Sequence, residues 1–329
     1  MYNFGNFNYF NYYFDFVLKI VAHELDEAYP EGYGIKCNYR IPCECSNRVQ
    51  RLKTGGLSGI EIIQWILYAD DLVFLCREVL KAQRTLQILH DTCVRFGLTI
   101  SFGKTKSLVF NDEELAKKEH FLEVDGNKIE NVAEFCYLGH TISNKNELSY
   151  TELRTASAIG KFNELSGVLC DQNVNMGTRR RILEACVRSR LTYATQAWYP
   201  REEEMKKLES CWYSLLRKMI RGGWKRKSSE DEASFALQYT NKDVENIVKT
   251  TPLRDFINCQ YLRYIAHICR SSNNEITKKM MFMIPSKKYY RDSFLKIAGL
   301  LGGVSKTQAL KATQSKQGFT VLLKQQNLC

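Results

Sequence analysis

Two short apolar runs on either side of an acidic pair constrain the fold more than any other part of this sequence. Residues 66–69 read Ile-Leu-Tyr-Ala, Asp70 and Asp71 follow, and residues 72–75 read Leu-Val-Phe-Leu. Short bounded runs that are rich in branched and aromatic residues predict the strands of a β-hairpin. Because neighbouring strand residues point to opposite faces, the pattern predicts a tight reversal that holds both carboxylates in place.

An acidic pair at a strand turn is a candidate site for a hard cation. Mg²⁺ prefers oxygen ligands and commonly takes one or two carboxylates together with substrate phosphates. The alternative is a solvated Asp-Asp turn, which is the more common role of such a pair when nothing else in the sequence supports a site. The neighbouring sequence favours the metal-binding interpretation of Asp70 and Asp71.

Three blocks, in a fixed order, carry a resemblance to a known family. Residues 68–71, Tyr-Ala-Asp-Asp, resemble the YADD signature of reverse transcriptases. Residues 97–101, Gly-Leu-Thr-Ile-Ser, with Lys104 resemble the next block, a glycine-led turn into a strand that ends in a lysine. Residues 135–139, Phe-Cys-Tyr-Leu-Gly, resemble the primer-grip hairpin. The spacing, and the helical segment that follows, resemble the reverse transcriptases of non-LTR (LINE-type) retrotransposons over about residues 10–270.

The resemblance implies roles for individual residues. It makes Asp70 and Asp71 ligands of catalytic Mg²⁺, and it places Lys104 near the pyrophosphate leaving group, where a cation can stabilise charge or donate a proton. It also implies an RNA template and a DNA primer, with the primer backbone placed by four residues of the grip: Phe135, Tyr137, Leu138 and Gly139. The alternatives are a solvated strand-end lysine and an ordinary buried hairpin.

The catalytic site is expected to be incomplete in this chain. Nucleotide transfer with two metal ions needs at least three carboxylates in one place, normally from two chain segments. In the family the other Asp comes from an earlier strand, and that block should precede the point at which this chain begins to match. Asp15 is an alternative source, but its surroundings predict a helix. The 55 positions between Asp15 and Asp70 are also too few to hold the block that separates the two segments in the family. We therefore expect a truncated, inactive polymerase domain.

The charge of the chain is unevenly distributed. Residues 1–150 contain 16 Lys and Arg against 20 Asp and Glu, whereas residues 151–329 contain 31 against 16. Lys and Arg bind nucleic-acid phosphates with little sequence preference. The sequence predicts such a surface on a basic helix that ends at Lys227, formed by six residues: Arg217, Lys218, Arg221, Lys225, Arg226 and Lys227. A non-catalytic nucleic-acid-binding module is thus the alternative function, and a basic surface that only favours solubility is the simplest interpretation of the charge.

The pattern of apolar residues predicts an α+β fold, with a partial polymerase palm of antiparallel hairpins and helices followed by an all-helical thumb and C-terminal helices. Helical spacing begins at Phe14 and recurs in residues 79–96, 153–165, 205–220 and 256–269. Strands are predicted at 98–100 and 107–110, and hairpins around residues 124–129 and 135–142. The predicted divisions are 1–13 (a low-complexity Asn and aromatic start), 14–146 (palm), 147–227 (thumb) and 228–329 (C-terminal region with a basic tail).

Bulk composition excludes several classes of protein. With 44% apolar and 25% charged residues the chain is globular rather than disordered. The start has no early Lys or Arg ahead of an apolar segment, as a secretory signal would, and charges interrupt every apolar stretch before it could span a bilayer. We expect an intracellular protein, cytoplasmic or nuclear. The twelve cysteines contain no CxxC pair, which argues against a structural zinc site.

Overall fold

The computed structural model describes residues 5–40, 58–144, 150–221, 224–226, 235–281, 299–300, 313 and 316–325. The chain divides into two compact units, Met1–Leu148 with Lys279–Lys288 and Ser149–Lys278 with Tyr289–Cys329. Helices combine with small, mainly antiparallel sheets, so the predicted α+β class is confirmed. The finer domain boundaries stay predictions, and most of the basic tail lies outside the described residues.

The first unit combines one long helix at its start with a series of short strands. In chain order, its elements are α1 (Gly5–Ala28), β1 (Ile35–Arg40), β2 (Ser58–Ile63), β3 (Trp65–Tyr68), β4 (Asp71–Phe74), α2 (Val79–Arg95), β5 (Lys106–Ser107), α3 (Glu113–Ala116), β6 (His120–Val124), β7 (Asn127–Asn131), β8 (Glu134–Tyr137) and β9 (His140–Ser143). The strands pair as β1–β2, β3–β4 and β8–β9 and as a three-stranded sheet of order β5–β7–β6, in which only β5–β7 is parallel.

Helix α1 begins earlier than the spacing of its apolar residues predicts. Its inward positions Val17, Val21 and Leu25 are buried, as expected from the pattern, but the helix extends back to Gly5. Most helical stability in proteins comes from tertiary packing. Here the Tyr13 hydroxyl donates to the Phe96 carbonyl at 2.5 Å, a contact to the end of α2 that holds α1 in place ahead of the predicted start at Phe14.

The prediction of a strand at residues 98–100 is wrong. Gly97 has a φ of +70°, its amide donates to the Val94 carbonyl, and the Leu98 amide donates to the Cys93 carbonyl at 2.8 Å. These two bonds form a Schellman motif that ends α2. The Leu98 amide therefore caps the end of α2, and this contact outweighs the strand-forming preference of Leu-Thr-Ile. Of the strand predicted at 107–110, only Ser107 lies in a strand, in β5.

The second unit is mainly helical. Its described elements are α4 (Tyr150–Glu164), α5 (Ser166–Leu169), α6 (Met176–Ile182), a π-helical turn (Leu183–Arg188), α7 (Ser189–Leu191), α8 (Thr195–Trp198), α9 (Glu202–Met219), β10 (Trp224–Arg226), β11 (Phe235–Leu237), α10 (Asn241–Val248), α11 (Leu253–Arg270), α12 (Ile276–Met281) and α13 (Lys316–Gln325). Helix α12 crosses the boundary between the units at Lys279.

Helix α9 supplies the centre of the second unit's core. The predicted apolar stripe is confirmed: Leu208, Trp212 and Leu216 are fully buried. Next to this stripe on α9, Arg254 of α11 donates to the carboxylates of Glu202 and Glu209 at 2.8 to 3.0 Å. The helix is therefore held by apolar packing along one stripe and by a branched ion pair along another.

The basic helix predicted to end at Lys227 is shorter than expected, and the predicted all-helical thumb contains a strand. Helix α9 ends at Met219, and Arg221 has a φ of +56°, a left-handed conformation that stops an α-helix. Two glycines, the residues least favourable to a helix after proline, follow in the sequence. Residues 224–226 then form β10, which pairs antiparallel with β11. Within the described residues, no helix combines the length and the apolar content needed to cross a membrane.

Candidate functional site

The hairpin predicted around the acidic pair is confirmed, and the pair lies at its tip. Strands β3 and β4 pair antiparallel with Tyr68 opposite Asp71, so Ala69 and Asp70 form a two-residue turn. Both carboxylates are on exposed residues. Asp70 occupies the turn itself and Asp71 is the first residue of β4, which places two oxygen-donor side chains next to each other at one end of the hairpin.

Ala69 adopts a strained conformation at this tip. Its φ is +52°, in the left-handed region that side chains with a Cβ rarely occupy. Two-residue hairpin turns need a positive φ at their first central residue, which is why Asn, Asp or Gly is usual there. Backbone strain of this kind persists only where the surrounding structure holds it, and it concentrates at functional sites.

The donor chemistry of the acidic pair fits a hard cation, but only in part. Carboxylate oxygens are preferred ligands of Mg²⁺. Within the part of the chain that the structure describes, no group of three or more His, Cys, Asp or Glu side chains is placed to hold a metal ion. Asp15, the alternative third carboxylate, lies on α1 and pairs with Lys19 at 2.7 Å. Asp70 and Asp71 thus offer part of a coordination shell.

The predicted primer-grip block is also a hairpin with a two-residue turn. Tyr137 of β8 lies opposite His140 of β9. Leu138 and Gly139 form the turn with φ values of +49° and +71°, the signs of a type I′ turn. Phe135 and Tyr137 are half-buried, whereas Leu138 and Gly139 are exposed at the tip. The roles of these four residues toward a primer stay predictions.

Tyr137 connects the two hairpins electrostatically. Its hydroxyl oxygen is buried and has no hydrogen-bond partner among the described residues. Burial raises the pKa of Tyr137, and the negative charge of Asp71 raises it further. The charge of Asp71 therefore acts on Tyr137, which lies 66 positions further along the sequence.

Lys104 lies in a turn rather than at the end of a strand. The amides of Lys104 and Thr105 both donate to the Ser101 carbonyl, at 3.0 and 2.9 Å. The Lys104 side chain is exposed. Its proposed place near a leaving group stays a prediction.

The predicted basic surface is divided by its contacts. Arg217 is half-buried, donates to the Tyr239 carbonyl at 3.2 Å and also bonds Asn241, so it ties α9 to the start of α10. Lys218 and Arg221 are exposed. Lys225 and Arg226 lie in β10, but their side chains, like the whole of Lys227, are outside the described part of the chain.

A further group of functional candidates is spread over three segments, so that the local sequence gives little sign of it. Arg154 lies on α4, Arg190 on α7 and Tyr193 just after α7. The only local signal is the density of arginine in residues 179–190, Arg-Arg-Arg-Ile-Leu-Glu-Ala-Cys-Val-Arg-Ser-Arg. The packing of α4 and α7 in the second unit brings these side chains together.

Comparison with known proteins gives one informative match. The chain is 24% identical over 219 residues to an uncharacterized transposon-derived protein of Caenorhabditis elegans, a match that covers 65% of this chain and 74% of that relative. The similarity supports a transposon origin. No protein-family model matches the chain. No solved structure is significantly similar to it.

Proposed function

We propose that this chain carries the later palm blocks and the thumb of a reverse transcriptase domain derived from a non-LTR retrotransposon. Its ancestral reaction is RNA-directed DNA polymerisation, with an RNA template and a DNA primer. The proposal is supported by the order of the three sequence blocks and by the similarity to a transposon-derived protein. It is supported most by the hairpin that carries Asp70 and Asp71 side by side at its exposed tip.

Magnesium would bind at Asp70 and Asp71 in this proposal. When bound, Mg²⁺ supplies Lewis-acid stabilisation of the charge that develops during nucleotidyl transfer. The protein's own contribution is geometric. The two-residue turn places both acidic residues at the tip of the hairpin, and the buried hydroxyl of Tyr137 lies within the electrostatic influence of Asp71.

We further propose that these 329 residues alone do not polymerise DNA. The described residues offer two carboxylates at the acidic turn, which are fewer than the three that a two-metal site requires. The test is primer extension on an RNA template by the purified chain in Mg²⁺ or in Mn²⁺, and we expect no extended product. A matched double variant, Asp70→Asn with Asp71→Asn, gives the background of the preparation.

Processive synthesis by the natural sequence that disappears in the double variant would contradict the proposed inactivity. The same result would assign the reaction to the acidic hairpin. Synthesis that persists in the double variant would come from a contaminating polymerase.

The second candidate function is a non-catalytic nucleic-acid-binding module. The excess of Lys and Arg in residues 151–329 favours it, as do the exposed side chains of Lys218 and Arg221 at the end of α9. Each phosphate contact releases counterions, so binding should weaken steeply as salt rises. A band-shift titration at rising salt tests this function. Replacing Lys218 and Arg221 by Gln should lower the salt slope by about two, and no shift even at low salt would refute it.

A further inference from the structure

A second cluster of cationic and aromatic side chains lies on the second unit and contains none of residues 217–227. The Arg154 guanidinium carbon lies 4.7 Å from the centroid of the Tyr193 ring. Arg190 donates from Nη1 to the Ser157 hydroxyl oxygen at 3.5 Å. Lys161 follows Ser157 by four positions on α4 and so lies on the same helix face. We call Arg154, Ser157, Lys161, Arg190 and Tyr193 the Tyr193 cluster.

The backbone of Tyr193 is held from both sides. Immediately before it, the Thr192 amide and hydroxyl both donate to the Arg188 carbonyl, at 2.9 and 2.8 Å. After it, Ala194 has a φ of +57°, and the Trp198 indole donates to the Tyr193 carbonyl at 3.2 Å. The Tyr193 side chain nevertheless remains 45% exposed. The fold thus presents an aromatic ring to solvent from a fixed backbone position.

The Tyr193 cluster contains three cationic side chains. Among the described residues, Glu164 pairs with Lys161 at 2.6 Å. The hydrogen bond and charge of Lys161 lower the pKa of Glu164, and the charge of Arg190 lowers it further. Two arginines and a lysine are thus grouped around the exposed ring, and Arg190 is itself exposed.

We propose that the Tyr193 cluster binds single-stranded nucleic acid, with a base stacked on Tyr193 and backbone phosphates held by Arg154, Arg190 and Lys161. Proteins that bind single strands without sequence preference combine a cationic track with exposed aromatic rings. An arginine stacked against the ring, as Arg154 is, adds a cation–π contribution to such a platform. The proposal rests on the nucleic-acid-binding part of the proposed function and gives that binding a second surface and a strand preference.

Single strands should bind this surface better than duplexes. In a duplex the base faces are stacked on their neighbours and cannot reach an aromatic side chain. Phosphates, by contrast, are accessible in both forms, so the cations alone do not discriminate. The strand preference therefore comes from Tyr193, and the salt dependence comes from the three cations.

The experiment is a fluorescence-anisotropy titration of the full chain with two labelled probes. One probe is a uridine-rich single-stranded RNA of about twelve nucleotides, and the other is a duplex of the same length. We expect Tyr193→Ala to weaken single-strand binding about tenfold and to leave duplex binding nearly unchanged. Tyr193→Phe keeps the ring and should bind as the natural chain does. Tyr12→Ala removes a ring that is 75% exposed on the first unit and is the matched control.

A second variant separates recognition from folding. Arg190→Gln changes an exposed side chain and should lower the salt slope of single-strand binding by about one. Circular dichroism of each variant checks that the helical unit is intact. If the natural chain binds neither probe, the nucleic-acid-binding function itself fails. If it binds but both Tyr193→Ala and Arg190→Gln bind equally well, the Tyr193 cluster is overturned as the site while that function stands. Equal affinity of the natural chain for both probes would overturn the single-strand preference.

Discussion

The two units of this protein are stabilised in different ways. The second unit has a continuous core in which Leu208, Trp212 and Leu216 are shielded completely from solvent. The described strands of the first unit form separate sheets of two or three strands, and the acidic hairpin leaves Ile66 and Leu67 exposed by 43% and 38%. Two-stranded hairpins have little stability of their own. The acidic pair therefore lies on an element that contributes little stability of its own.

Two hairpins of the first unit differ in how well the first residue of the turn suits its backbone conformation. The β6–β7 and β8–β9 hairpins both close with two residues of positive φ, Asp125-Gly126 and Leu138-Gly139. Asp is favoured at the first position because its short polar side chain tolerates the left-handed region, whereas Leu is not. The less favourable residue lies in the grip hairpin.

The largest expected effect concerns the core of the second unit. Trp212→Ala should lower the free energy of unfolding by about 3 to 5 kcal/mol, because it removes a large buried side chain and leaves a cavity. Ile66→Ala, at the exposed hairpin of the first unit, should cost less than about 1 kcal/mol. Urea unfolding followed by circular dichroism measures both. Equal losses for the two variants would refute the difference in packing.

The next effect exchanges the chemistry of the two turns. Leu138→Asn should raise the free energy of unfolding by about 1 kcal/mol, since Asn adopts a left-handed conformation at less cost than Leu. Asp125→Leu should lower it by a similar amount. Thermal unfolding of the two single variants measures the direction in which each one changes the free energy of unfolding. A loss of stability in Leu138→Asn would mean that the Leu138 side chain stabilises the hairpin through packing.

The sequence predicts those parts of the fold whose causes are local. Asp125-Gly126 between β6 and β7 specifies its turn, and the acidic turn at Asp70 follows from the apolar runs on both sides of it. The buried stripe that includes Trp212 follows from helical spacing alone. In each case the deciding residues lie within a few positions of one another.

The remaining features depend on contacts that the local pattern does not contain. Leu98 belongs to a sequence with strand preference, yet its amide completes the end of α2. Near the start of α1, the Tyr13 hydroxyl bonds to the carbonyl of Phe96, the residue that follows α2. The packing of the helical unit brings Tyr193 to Arg154 and Arg190 to Ser157. The predicted roles of Lys104 and the grip residues depend on a bound substrate and therefore on more than the fold.

The smallest expected effect is a pH-dependent contact within the first unit. Glu24 of α1 accepts a hydrogen bond from the Thr92 hydroxyl at 2.5 Å and pairs with Arg95, both on α2. The Thr92 bond and then Arg95 lower the pKa of Glu24 below its ordinary value of 4.5. A carboxylate with a lowered folded-state pKa adds stability above its unfolded pKa and loses it as pH falls through the folded pKa. Glu24→Gln should therefore cost roughly 0.5 kcal/mol near neutral pH, as for a partly exposed pair, and progressively less below pH 4.5. Unfolding titrations of Glu24→Gln against Glu31→Gln, an exposed control, measure this. A cost that does not diminish in acid would mean that Glu24 joins the two helices by packing and not by charge.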